Sequence, residues 1–311
     1  MKPAPSIIFF TVASGAGYGL LFWLGLLKPL GLLPTSTLFG ATAAIIALVL
    51  IAAGLCSSLL HLGRPERAWR ALSQWRSSWL SREGVGAILT FIPATILLIA
   101  LAHDEASLIL PAGLLSALGA AVTVYCTGMI YASLKPVKEW HHPMVAPGYL
   151  LFGSFSGAAL LAALAVFWGG GFFPAVAAAA LGLAALFFKR AYWQSVDTTP
   201  ASSTRESATG LGFIGTVRPL ESPHTESNYL LREMAFRVAR VHAMKLRSIA
   251  LLLGFALPAL LLCGAAILGG GIAMALASLA ALGAILGLLV ERWLIFAEAT
   301  HTVALYYPTP R

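Results

Sequence analysis

Between two long apolar runs the sequence carries His61-Leu-Gly-Arg-Pro-Glu-Arg-Ala-Trp-Arg-Ala-Leu-Ser-Gln-Trp-Arg-Ser-Ser-Trp-Leu-Ser-Arg-Glu83, with five arginines, two glutamates, one histidine and three tryptophans in 23 residues. His61 and Glu83 sit at the inner edges of the flanking runs, where an ionisable group is costly and usually has a task. An imidazole with a reference pKa of about 6.5 can donate to a carbonyl oxygen and cycle a proton. Glu83 follows Ser81, read as a helix N-cap, and so is expected in the first turn of the next helix. There the helix dipole favours the carboxylate while partial desolvation favours the acid. Gly63 would let the chain turn sharply after the preceding helix, and Arg67 would either pair with Glu83 or hold a partner. The plainer reading of the stretch is a lipid-anchored loop: Trp69, Trp75 and Trp79 suit the headgroup level, and Arg64, Arg67, Arg70, Arg76 and Arg82 suit lipid phosphates or an acidic protein surface.

Elsewhere, chemistry-bearing residues are sparse. Glu291 and Glu298, seven apart, share a helix face and could line a proton inlet; a helix end neutralised by Arg292 is the simpler reading. His141-His142 beside Glu139 is a weak metal motif, better read as a hydrated loop, and no metal site is expected. Cys56, Cys126 and Cys263 each lie alone within an apolar run, which excludes a disulfide framework or an iron–sulfur cluster. The seven histidines all fall at the ends of apolar runs or in loops. A haem held by paired axial histidines inside the spans is therefore not expected.

The elements that must position these residues are membrane helices. The chain has 311 residues, 59% of them hydrophobic and only 10% charged, with a mean hydropathy of +0.85. That leaves too little polar surface for a soluble globule. The net charge of +8 would suggest nucleic acid in a soluble chain, but the basic residues fall in loops between apolar runs, so nucleic acid is not an expected partner. A hydrocarbon core of about 30 Å needs roughly 20 apolar residues per helix. That ruler predicts eight spans near residues 7–27, 38–60, 84–102, 106–134, 144–168, 172–188, 248–268 and 272–290, with Gly169-Gly170-Gly171 and Gly269-Gly270-Gly271 marking the last two hairpin turns. The expected fold class is all-α integral membrane, up-down, in two four-helix bundles, one polytopic domain over 1–311. The first apolar run is long enough to span and is followed by no small-residue cleavage site, so it is not read as a signal peptide.

Nineteen of the 20 Lys and Arg residues fall on the side that bears both termini, and Lys28 alone falls on the other. By the positive-inside rule both termini and the large loops, including 189–247, are expected to be cytoplasmic, with the chain in the inner (cytoplasmic) membrane. Within that loop Ser195–Asn228 is rich in Ser, Thr, Pro and Gly. From Tyr229 a basic amphipathic pattern follows, with Leu230, Met234, Val238 and Val241 on one face. It reads either as a helix on the anionic leaflet or, through Arg237 and Arg240 together with Arg64, Arg70 and Arg76 of the first large loop, as a docking surface for a soluble subunit.

His-Leu-Gly-x-Pro-x-Arg-Ala, followed by a serine-rich segment ending in Leu-Ser-x-Glu, resembles the corresponding loop of the membrane anchor subunits of the dimethyl sulfoxide reductase family. The resemblance is closest to the branch that serves sulfite-oxidising (sulfite dehydrogenase) molybdoenzymes, and the long 189–247 loop and the segment Glu291–His301 agree with that branch. It implies an anchor with no redox cofactor of its own. Such an anchor passes electrons between an iron–sulfur subunit, attached to a molybdopterin catalytic subunit, and a quinone (ubiquinone or menaquinone) bound near His61, Gly63, Arg67 and Glu83. An anchor that oxidises menaquinol for dimethyl sulfoxide reduction is the alternative within the family. A secondary transporter is the alternative outside it, disfavoured because the spans as drawn hold no charge and no broken helix at mid-depth.

Overall fold

A computed structural model of the chain describes residues 3–60, 62–200, 203–221 and 238–306, with backbone alone at 238–241 and 306. Among the described residues the chain is helical, and its only β pairing is a bridge between Val137 and His301. Eight helices are long and apolar enough to cross a membrane. They are α1 (Pro5–Leu27), α2 (Thr37–Leu59), α3 (Trp79–His103), α4 (Ala106–Ala132), α5 (Val145–Phe167), α6 (Phe172–Thr198), α7 and α8 (Gly270–Ala297). Helix α7 runs from Val238 through Leu251, a π turn at Leu252–Ala256, and Leu257–Ile267. The π turn has a chemical cause: Pro258 carries no N–H to close the preceding turn, and the Leu257 N–H reaches back to the Leu252 carbonyl instead.

The outer faces carry exposed Val49, Ile92, Leu118, Leu260 and Ile272, a surface that only lipid can solvate at this density. Inside, small residues let the helices approach. Helix α1 is the most buried span and packs on α2, α4, α5 and α8. A methyl group on Gly19 would overlap the Gly153 carbonyl of α5, and one on Gly157 the backbone at Gly19. Gly25 and Gly113 bring α1 and α4 together in the same way. One apolar core lies around α1, with Leu20, Leu21, Leu24, Phe39, Ile51 and Leu97. A second, with Phe152, Phe155, Phe255 and Leu262, lies among α5 to α8.

Four helices extend well past the ends expected from hydropathy. Helix α3 starts at Trp79 and α7 at Val238, α6 continues from 188 to Thr198, and α8 from 290 to Ala297. The last two differences have one cause, because Lys189 and Glu291, the charges at which the apolar runs stop, neutralise one another inside the helices.

Candidate functional site

The polar connection between α2 and α3 lies on the face that bears the N-terminus, and Pro65–Gln74 forms a 3-10 segment. Arg82 binds this loop to α3. Its guanidinium lies 4.2 Å from the Trp79 ring centroid and donates to the carbonyls of Trp75 (3.1 Å) and Arg76 (2.8 Å). Ser81 does not cap the helix: its hydroxyl donates to the Ala71 carbonyl, while the Ser78 hydroxyl accepts from the Ser81 N–H at 3.4 Å as the N-cap. The expectation of a first-turn glutamate is corrected accordingly. Extended backbone at Ser78 starts the helix at Trp79, so Glu83 is its fifth residue, in the second turn and only 4% exposed.

Burial separates Glu83 from the loop residues expected beside it. Among the described residues its carboxylate has no ion-pair partner, and its Oε1 accepts from the Thr127 hydroxyl of α4. Thr127 continues a hydroxyl seam between α3 and α4: Thr90 and Thr123 lie 3.3 Å apart, and each donates to its own helix, to Gly86 and Gly119. The Tyr18 hydroxyl of α1 is buried close to Thr123 and has no hydrogen-bond partner of good geometry. Tyr18 also walls an apolar cleft of about 430 Å³ between α1, α4 and α5, shared with Phe22, Val124, Pro147, Leu150 and Leu151. A cleft of that size takes a ring of small-molecule dimensions.

Of the loop residues singled out above, His61 lies outside the described residues. Arg67 is half exposed and 4.0 Å from Glu66, not paired with Glu83. Gly63 has open space around it and no left-handed backbone, so nothing there requires glycine. Arg64 is exposed, and Arg70 and Arg76 lie 5.6 Å and 5.4 Å from the rings of the exposed Trp69 and Trp75. Arg237 lies outside the described residues, and only the backbone of Arg240 is described, so the expected amphipathic face is not placed. The described part of the loop therefore presents aromatic and cationic side chains outward, whereas Glu83 is buried among the helices.

A second polar centre lies in the other half of the molecule. Lys189 of α6 and Glu291 and Arg292 of α8 are 2%, 0% and 4% exposed. Lys189 Nζ pairs with Glu291 Oε1, and Arg292 Nη1 lies 3.3 Å from Glu291 Oε2. Lys189 sits over the rings of Tyr192 (4.3 Å) and Trp193 (4.7 Å), and the Arg292 guanidinium is 3.7 Å from the Tyr149 centroid. The expectation of spans free of charge is thus corrected. Once α6 and α8 are extended, two buried cations and one buried carboxylate lie inside them, and removing one member of such a set costs about 3–5 kcal/mol. The available signal was that both apolar hairpins of the second half end in a charge, of opposite sign. Glu298, read with Glu291 as lining one inlet, pairs with Arg247 (2.8 Å), which also holds Asp197 (2.6 Å).

The adjacent histidines serve the loop. His141 Nδ1 lies 2.7 Å from the Ala132 carbonyl, His142 Nε2 lies 3.0 Å from the Ser195 hydroxyl, and the Met144 N–H donates to His142 Nδ1. Burial holds the His142 imidazole below its usual pKa, which suits a neutral ring accepting that bond. Among the described residues no group of three or more His, Cys, Asp or Glu could hold a metal, and the three cysteines are free thiols.

Comparison with known proteins places this geometry in context. The family model described as the DMSO reductase anchor subunit (DmsC) matches residues 1–297. A curated relative, a sulfite dehydrogenase subunit of Allochromatium vinosum, is 33% identical over 327 aligned residues, covering 99% of each chain. A match over nearly the whole length leaves no part of the eight-helix plan unaccounted for, and the chain therefore belongs to the DMSO reductase anchor subunit (DmsC) family.

Proposed function

We propose that the protein anchors a molybdopterin and iron–sulfur oxidoreductase to the cytoplasmic face of the inner membrane and passes electrons between the iron–sulfur subunit and quinone. The observation that carries this reading is Glu83: a carboxylate 4% exposed in the second turn of a membrane helix, with a hydroxyl as its hydrogen-bond partner and, among the described residues, no ion-pair partner. A structural glutamate at that depth would be paired, because burying an unpaired carboxylate is costly. A proton-exchanging group must change charge, which a permanent cation beside it would oppose. The apolar cleft at Tyr18, between α1, α4 and α5, offers a ring-sized space next to the same hydroxyl seam.

Sulfite is the proposed electron source, from the name of the relative from Allochromatium vinosum. Sulfite and water give sulfate, two electrons and two protons; the electrons pass through the iron–sulfur partner, and quinone takes up two electrons and two protons to become quinol. His61, Gly63 and Arg67 keep their proposed place at the aqueous edge of that site, with Arg64, Arg70, Arg76, Arg237 and Arg240 receiving the partner. No haem takes part.

Deleting the gene tests the assignment. The catalytic subunits should become soluble in the cytoplasm, and membranes should lose sulfite-dependent quinone reduction. An unaltered sulfite response together with lost growth on dimethyl sulfoxide would replace it with the reductase reading. Glu83→Gln tests the site: membrane attachment should persist while quinone-coupled turnover falls by about tenfold or more.

A further inference from the structure

Glu83 is buried beneath the helix ends, so any proton it exchanges must travel. A chain of voids leads away from it through the second half of the molecule. The first, about 10 Å³, is walled by Ser14, Thr127, Tyr149, Ser156 and Arg292; it has room for about one water molecule. The Ser14 and Ser156 hydroxyls donate to Phe10 and Phe152 carbonyls of their own helices, which leaves their lone pairs free to accept. Through Arg292 and Phe152 this void shares walls with a second of about 10 Å³ beside Lys189 and Glu291. Through Tyr192 and Ile295 the second shares walls with a vestibule of about 260 Å³ at the helix ends, lined by Glu139, Asp197, Glu298 and Arg247.

We propose that these voids and the Lys189–Glu291–Arg292 cluster form the proton route between the aqueous face and Glu83. This rests on the reading of Glu83 as the proton-exchanging group of quinone chemistry. Three carboxylates against one guanidinium make the vestibule acidic, and half-exposed Asp197 opens it to water. Burial holds the Glu298 carboxyl above the usual carboxylate range despite its bonds to Arg247, so it exchanges protons closer to neutrality than a free acid. Further in, Glu291 faces Lys189 and Tyr192 of α6 and Arg292 of its own helix, with Tyr149 of α5 under Arg292; held between two cations it orders water rather than changing charge, and its Oε2, which lacks a hydrogen bond, accepts from a water of the route. At the inner end, a water in the first void donates to Thr127 Oγ1 as Thr127 passes its own hydrogen to Glu83 Oε1. Each pass moves one proton and changes no bond other than O–H. Two passes supply the two protons that quinone takes up with two electrons from the iron–sulfur partner.

The test uses membranes carrying the whole complex, driven by sulfite. A short-chain quinone analogue is read in H₂O and D₂O over a range of pH, and a soluble dye that takes electrons directly from the catalytic subunits serves as control. Glu291→Gln and the double variant Lys189→Met/Glu291→Leu should each lower quinone reduction about tenfold, enlarge its solvent isotope effect and leave dye reduction and membrane attachment unchanged. Where the charge variants fail to assemble, Ser156→Val decides, because it plugs the first void and leaves every charge in place. Full quinone rates with an unaltered isotope effect in an assembled variant would overturn the route. Full rates in Glu83→Gln would overturn the reading of Glu83 itself.

Discussion

Thr127 is the residue on which the proposed inner site turns. It donates to Glu83 and also lies 3.1 Å from the Thr123 carbonyl, so its hydroxyl is held in one position between two acceptors. Thr127→Val keeps the shape and removes the only described hydrogen-bond partner of a buried carboxylate, a loss worth about 1–3 kcal/mol. Quinone-coupled turnover should fall about as far as in Glu83→Gln, while Thr127→Ser should stay close to the parent. Equal rates in the valine and serine variants would remove the hydroxyl from the mechanism. Tyr18 belongs to the same scale: its buried, unsatisfied hydroxyl borders the cleft. Tyr18→Phe should raise the KM for quinone with little change in dye-linked activity, since that variant deletes a donor without leaving a new orphan.

At the scale of elements, α1 decides how the two halves meet, and it does so through absent side chains. The Gly19 and Gly157 backbones are so close that a side chain on either has nowhere to go. Gly157→Leu should force α1 and α5 apart and cost toward the upper end of about 1–3 kcal/mol, seen as a lower detergent melting temperature and poor recovery of the complex. The same substitution at Gly63, which has open space, should leave stability unchanged. Helix α7 carries its own irregularity: Pro258 and the π turn bring Gly254 against Gly287 of α8, seating α8 where Glu291 can reach Lys189.

The whole molecule is asymmetric across the membrane. On the face away from the termini the one Lys or Arg, Lys28, donates to the Pro34 carbonyl at 2.6 Å, and burial holds its ammonium below the usual lysine pKa. A single cation on that face leaves the positive-inside bias nearly complete. Reporter fusions after Arg311 and within residues 203–221 should both report cytoplasm, and one at Asp104 the far side; a far-side signal at Arg311 would invert the orientation. The purified subunit should show no Soret band, and a stoichiometric b-type spectrum would instead direct attention to His61 and His242.

Length, hydropathy and glycine-rich turns were enough to read eight membrane helices and their up-down order from the sequence, because lipid imposes a fixed ruler and tolerates no unpaired backbone. The loop motif likewise led to the family, and Glu83 stood out through its place at the edge of an apolar run. What one dimension could not show was which residues of separate helices meet. Lys189 and Glu291 lie 102 positions apart and each read as the end of a span, and only their pairing in space turns two costly charges into one tolerable cluster. Ser81 and Ser78 are equally good caps in the sequence. The contact of Ser81 with Ala71 frees Ser78 for that role, and so moves Glu83 one turn inward, from the helix end to the interior. Hydropathy measures each residue's own transfer to lipid, whereas the location of the site depends on compensation between residues, which exists only once the helices have packed.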